Sequence, residues 1–122
     1  IIYVAAAALY DSDGRVLLSE HMKPDWRGYW ELPGGRIEQG ETPEEALVRE
    51  LQEELGVETQ ISCLTPLSFV THTYATPHFY MAMLVFAVRQ WQGPGGSRTP
   101  IGKEGQGLKW LFPKDLRSIK LV

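Results

Sequence analysis

The chain has 122 residues, 12 of them basic and 15 acidic, for a formal net charge of −3; this length suits one domain over residues 1–122 and is short for two. With 43% hydrophobic and 22% charged side chains, it has a globular composition, which excludes a disordered chain, a collagen-like repeat and a disulfide framework. Mild acidity also argues against a nucleic-acid polymer as partner, since such binders carry a basic excess. The charge is unevenly spread. Residues 38–58 hold eight glutamates against one base, Arg49, a local −7, whereas residues 89–122 hold seven bases against two acids, a local +5.

In chain order, residues 1–10 and 15–20 flank the polar turn Asp11-Ser12-Asp13-Gly14 and read as a β-hairpin. The apolar opening lacks the basic flank of a signal peptide, so a first strand is the better reading. Residues 21–28 are a loop punctuated by Pro24 and Gly28. Residues 29–32 form a short strand closed by a turn at Pro33-Gly34-Gly35. Thr42-Pro43-Glu44-Glu45 is a helix start, with Thr42 as N-cap, Pro43 in the first helical position and Glu45 completing a capping box. Ala46, Leu47, Leu51 and Leu55 carry helical spacing as far as Gly56, which ends it. Residues 60–72 and 77–91 are strands, turning at Ala75, Thr76 and Pro77. Residues 93–107, with six of the 12 glycines, are a loop. A strand at 108–112 and a helical turn after Pro113 follow. Strands around one strong helix predict an α/β domain with a mixed sheet.

No stretch is long enough to span a bilayer, so a membrane is not an expected partner. One cysteine, Cys63, cannot form an internal disulfide and fits a reducing cytoplasm. The sequence does not distinguish a monomer from a homodimer.

At about 100° per residue, Glu50, Glu53 and Glu54 share an arc of about 100° beside the stripe of Leu47, Leu51, Leu55 and Val48. Like charges at this spacing repel, and more so at the rim of a core. A hard divalent cation relieves that repulsion and pairs naturally with phosphate. Taken alone, the helix reads more readily as a solvated acidic face, which is what most charge runs are. Its context is more specific. Gly35-Arg36-Ile37-Glu38-Gln39-Gly40-Glu41 leads, after seven residues, to Arg49-Glu50-Leu51-Gln52-Glu53-Glu54-Leu55-Gly56-Val57.

This run resembles the Nudix hydrolase signature, G-x5-E-x7-R-E-U-x-E-E-x-G-U with U apolar, at every specified position. Trp30-Glu31-Leu32-Pro33-Gly34-Gly35 resembles the strand and turn before it in the MutT-like branch. Gly102-Lys103-Glu104-Gly105-Gln106, followed by Trp110, resembles a later loop of that branch. The resemblance implies an α/β/α sandwich around a central mixed β-sheet. It also implies hydrolysis with Mg²⁺ or Mn²⁺, expected to convert a (d)NTP, 8-oxo-dGTP being typical, to monophosphate and pyrophosphate. It makes Glu50, Glu53 and Glu54 metal-binding, with the Gly34 carbonyl a further ligand. Glu50 or Glu53 is then a candidate base, and Arg49 orients a glutamate by a charge-assisted bond. Glu41 holds the loop. Glu104 supplies another metal carboxylate or the base. The family's closing helix is expected to lie outside these residues.

Other features carry less. Gly102-Lys103 fails as a phosphate loop because Ser97 stands where Gly is required and Glu104 replaces Ser or Thr. His21, His72 and His78 have no zinc spacing. Lys23 and Arg27 are candidate phosphate contacts or solvated cations. Leu32 and Phe79, with Tyr3 and Tyr80, are candidates for a base platform and suit a core equally. Residues 114–122 offer no amide for reading guanine, and the sequence has no Asn. The alternatives are hydrolysis of ADP-ribose or a dinucleoside polyphosphate, and a catalytically silent nucleotide-binding module.

Overall fold

The computed structural model describes residues 1–75, 78–118 and 121, with Asp25 described through its backbone alone. Among these lie β1 (Ile2–Leu9), β2 (Val16–Glu20), β3 (Trp30–Glu31), β4 (Gly34–Arg36), α1 (Pro43–Leu55), β5 (Leu64–Ala75), β6 (His78–Val88) and β7 (Leu108–Leu111). Short 3₁₀ turns occupy Pro24–Trp26, Ile61–Cys63, Pro94–Gly96 and Pro113–Ser118. The predicted turn residues Thr76 and Pro77 lie outside the described residues, as do Ile119, Lys120 and Val122.

One sheet has the order β4-β1-β6-β5. It is mixed: β1 runs parallel to β6 and antiparallel to β4, and β5 runs antiparallel to β6. The second, β3-β2-β7, is antiparallel throughout. The architecture is the expected α/β type with a central mixed sheet. Ala5 to Leu9 of β1 are buried, as befits a central strand covered on both faces. Their small side chains let α1 approach. Ala46, Leu47, Leu51 and Leu55 of the helix meet Ala5, Ala7, Leu9, Phe86 and Val88 in one apolar cluster.

The expected hairpin of residues 1–20 is only begun. Asp11 Oδ1 accepts the Arg15 and Asp13 amides at 2.8 and 3.0 Å, closing the turn. Tyr10 and Val16 then make a single bridge, and the strands part into different sheets. Beyond that bridge β1 pairs with β6 along Ile2–Leu9 and with β4 at Val4–Ala6, whereas β2 pairs with β3 and β7. The Gly34-Gly35 segment, expected as a turn, is instead β4, with Ala5 opposite Gly35 and Ala6 opposite Gly34.

The helix follows the sequence closely. Thr42 Oγ1 accepts the Glu45 amide at 3.1 Å, and Glu45 Oε1 accepts the Thr42 amide at 2.8 Å. Gly56 ends α1 at φ 66°, a left-handed conformation suited to glycine. The glycine-rich loop has little regular structure but docks on this end of the helix. The Ile101 amide donates to Leu55 O and the Lys103 amide to Glu54 O, both at 3.0 Å. These bonds satisfy carbonyls that a helix terminus leaves without partners. Among the described residues no helix is long and apolar enough to cross a membrane.

Candidate active site

The site is assembled where β4 passes under α1 and the loop 101–107 meets the helix end. Two glycines make the close approach possible. A Cβ on Gly34, at φ 155°, would lie 2.1 Å from Ala5 O, so a side chain there would break the β1–β4 pairing. A Cβ on Gly35 would lie 2.3 Å from the Glu50 carboxyl carbon. The Glu50 carboxylate therefore rests on bare backbone.

Arg49 organises the acidic loop and the helix face together. Its Nε and Nη2 donate to the two Glu41 carboxylate oxygens at 2.8 and 2.9 Å, a bidentate pair. Its Nη1 donates to Glu50 at 2.9 Å and to Glu53 at 3.3 Å, and its Nη2 also reaches the Arg36 carbonyl at 3.2 Å. Glu41 in turn accepts the Glu38 amide at 2.9 Å. Arg49's hydrogen bonds, followed by the Glu38 amide, hold the Glu41 carboxyl down at about 2. The same bonds, to Glu41 first and then Glu50, raise the Arg49 guanidinium further above its ordinary value.

Glu54 is in the opposite electrostatic situation. Burial first, then its hydrogen bond to Glu50 and the charges of Glu50 and Glu104, push its carboxyl up to about 8. The Gly34 amide, donating to it, offsets part of this. Glu54 thus feels Glu50 of its own helix and Glu104 of a loop fifty residues later. Glu53 stands further out, with 59% of its side chain exposed against 15% for Glu50.

Beside these acids opens a cleft of about 240 Å³, lined among others by Glu20, His21, Lys23, Glu31, Glu54 and Glu104. Lys23 brings a cation to it, as the sequence allowed. His21 Nε2 lies 3.9 Å from Glu31. Burial raises the Glu31 carboxyl, against the favourable charges of His21 and Lys23. The structure does not bring the other predicted substrate contacts here. Arg27 is exposed at the end of the turn Pro24–Trp26 and does not line the cleft. Phe79 stacks on Tyr74 at 4.5 Å near the β5–β6 turn, two residues before the point where β6 first pairs with β1. Leu32 is half-buried between β3 and β4 and is likewise not part of the cleft wall.

Glu20, His21, Glu31 and Gln106 line the cleft and escaped the sequence. Glu31 was visible only as an acid inside an apolar strand. His21 was visible only as an isolated histidine. Gln106, buried at 8% exposure, had no signal beyond its place in the glycine-flanked loop.

Among the described residues, no three carboxylate, imidazole or thiol groups form a ready-made metal cage. Arg49 engages Glu50 and Glu53, and Glu54 is hydrogen-bonded to Glu50. The chemistry of the donors nonetheless suits a hard divalent cation: Glu54 is half-buried, hydrogen-bonded to Glu50 and exposed to the charge of Glu104, a repulsion that a cation would relieve.

The chain is similar to proteins already known. The sequence profile described as the NUDIX domain matches residues 2–121. The 8-oxo-dGTP diphosphatase of Proteus vulgaris is 36% identical over 92 residues, which span 75% of this chain and 79% of that protein. The CTP pyrophosphohydrolase of Escherichia coli K12 is 32% identical over 111 residues, 89% of this chain and 75% of that one. The crystal structure of a MutT NUDIX hydrolase from Burkholderia pseudomallei superposes with a TM-score of 0.78 at 29% identity, over 94% of this chain and 85% of that chain. The chain belongs to the NUDIX domain family and is a hydrolase of phosphoric anhydride bonds.

Proposed function

We propose that residues 1–122 act as a single domain that hydrolyses a nucleoside triphosphate to its monophosphate and pyrophosphate with Mg²⁺ or Mn²⁺, in a reducing cytoplasm. The observation that carries this reading is the meeting of Glu50, Glu54 and Glu104 beside a cleft that holds Lys23. Glu50, Glu54 and Glu104 would hold the cation, with Glu53 and the Gly34 carbonyl as further oxygen donors. Bound there, a divalent ion neutralises phosphate charge and lowers the pKa of a water.

The chain's own residues supply the rest. Lys23 offers the polyphosphate a point charge. Arg49 fixes the Glu50 carboxylate over Gly35 and tethers Glu53, so neither has to be ordered when substrate arrives. Glu50, Glu53 and Glu104 are the candidates to take a proton from water.

The substrate class follows from similarity to the diphosphatase and pyrophosphohydrolase relatives. The lack of any Asn and the placement of Leu32 outside the cleft favour no particular base, so pyrimidine nucleotides stand beside 8-oxo-dGTP. The test is incubation with Mg²⁺ and 8-oxo-dGTP, dGTP, CTP, ADP-ribose or a dinucleoside polyphosphate, with chromatographic resolution of products. Monophosphate and pyrophosphate from a triphosphate support the reading. Preferred release of AMP and ribose phosphate from ADP-ribose replaces the substrate. Binding without turnover of any compound would leave a silent nucleotide-binding module.

A further inference from the structure

Gln106 is one of two buried polar residues among those described, the other being Ser19. A buried side-chain amide needs partners for its donors and its acceptor, and those Gln106 finds belong to the candidate metal site. Its Oε1 accepts the Glu104 amide at 2.9 Å, and its Nε2 donates to the Glu54 backbone carbonyl at 3.3 Å. One side chain therefore joins the backbones of the two glutamates that reach the site from different elements.

The loop is shaped around this arrangement. The Gly105 amide donates to Gly102 O at 3.0 Å, closing a tight turn that carries Lys103 and Glu104. Gly102 has to be bare, because a Cβ there would meet Gln106 O at 2.3 Å and Gln106 Oε1 at 3.2 Å. The Lys103 amide makes a parallel tie to the same Glu54 carbonyl. Glu104 itself is exposed. Its placement comes from the backbone, and Gln106 is the side chain that anchors that backbone to α1.

We propose that Gln106 is a positioning residue, which fixes Glu104 relative to Glu54 and so tunes the affinity of the carboxylate set for a divalent cation. The proposal rests on the reading of Glu54 and Glu104 as cation ligands. Residues behind a metal's direct ligands commonly matter this much, because they hold the donors in the arrangement the ion needs.

The test uses Mn²⁺ as probe, with the free-ion electron paramagnetic resonance signal followed as protein is titrated. The proteins compared are the wild type, Gln106→Met and Glu104→Gln. Gln106→Met keeps the length and bulk of the side chain and removes both hydrogen bonds. It is expected to weaken Mn²⁺ binding about 10-fold, with circular dichroism unchanged. A residue that merely packs would lower the melting temperature and leave Mn²⁺ affinity alone. Unchanged Mn²⁺ affinity in Gln106→Met, alongside weakened binding in Glu104→Gln, overturns the role of Gln106 only. Unchanged affinity in both variants overturns the assignment of Glu104 as a ligand, and this inference with it. If Gln106→Met does not fold, hydrogen exchange in the metal-free wild type decides. Slowed exchange of the Glu104 amide supports the tether, and exchange at the rate of an unprotected loop amide overturns it.

Discussion

Arg49 contacts Glu41, Glu50, Glu53 and the Arg36 carbonyl at once. No lysine can reproduce that fork, since an ammonium is a point charge without fixed planar donors. Arg49→Lys is therefore expected to cut kcat by about 10- to 100-fold and to lower the melting temperature as Glu41 loses its bidentate partner, as steady-state kinetics and thermal unfolding will measure. The two glycines of β4 separate a chemical effect from a structural one. Gly35→Ala drives a methyl into the Glu50 carboxylate, and misplacing a reacting group by about 1 Å costs about 100-fold in turnover. Gly34→Ala strikes the Ala5 backbone instead, and denaturant titration should show a loss of about 1–3 kcal/mol. The helix residues of the site were legible because the period of 3.6 residues and a dense motif both fix them. Lys23 was legible only as one of two equal options, and nothing distinguished it from Arg27 until the chain was folded. Phe79 read equally as a base contact and as a core residue, because an aromatic in a strand carries no sign of which end of the sheet it occupies. Gln106 was silent for a related reason: its partners, one of them 52 residues away, are backbone groups without sequence identity.

At the level of elements, α1 was readable to its caps, since capping boxes and terminal glycines act locally. Thr42→Ala removes the hydroxyl that accepts the Glu45 amide. It should destabilise the fold by about 1 kcal/mol while leaving kcat near wild type, because the cap lies about two turns before Arg49. The hairpin of residues 1–20 was over-read for the opposite reason. Its turn chemistry is local and correct, but strand pairing depends on which edges are free. β1 pairs with β6 along its length and with β4 at Val4–Ala6, partners that sequence proximity does not reveal. The same non-local pairing turns Gly34–Arg36 from an expected turn into a strand, and that strand places Gly35 beneath Glu50.

Across the whole molecule, the −7 of residues 38–58 divides into two populations. Glu41 is stabilised as an anion by Arg49, whereas Glu54 is destabilised as one by burial and neighbours. Their pH dependences run in opposite directions. Glu41, lowered from 4.5 to about 2, adds stability that is present above pH 4.5 and is lost as pH falls towards 2. Glu54, raised from 4.5 to about 8, binds its proton more tightly folded than unfolded. Its contribution is full below pH 4.5 and disappears as pH rises through 8. In EDTA the melting temperature should therefore decline from pH 5 towards pH 8, and millimolar Mg²⁺ should flatten that decline. The +5 of residues 89–122 is placed less simply, since Lys103 lines a groove with Gln52 and Glu58 behind the helix end and does not line the cleft. The central claim is that hydrolysis depends on a divalent cation held by the Glu54 cluster. Its most direct test is turnover of a nucleoside triphosphate by wild type and Glu54→Gln across a Mg²⁺ titration. The account predicts Mg²⁺-dependent release of monophosphate and pyrophosphate by the wild type, and a loss in Glu54→Gln of about 100-fold or more. Equal turnover by the two proteins, or hydrolysis that persists in EDTA, would contradict it.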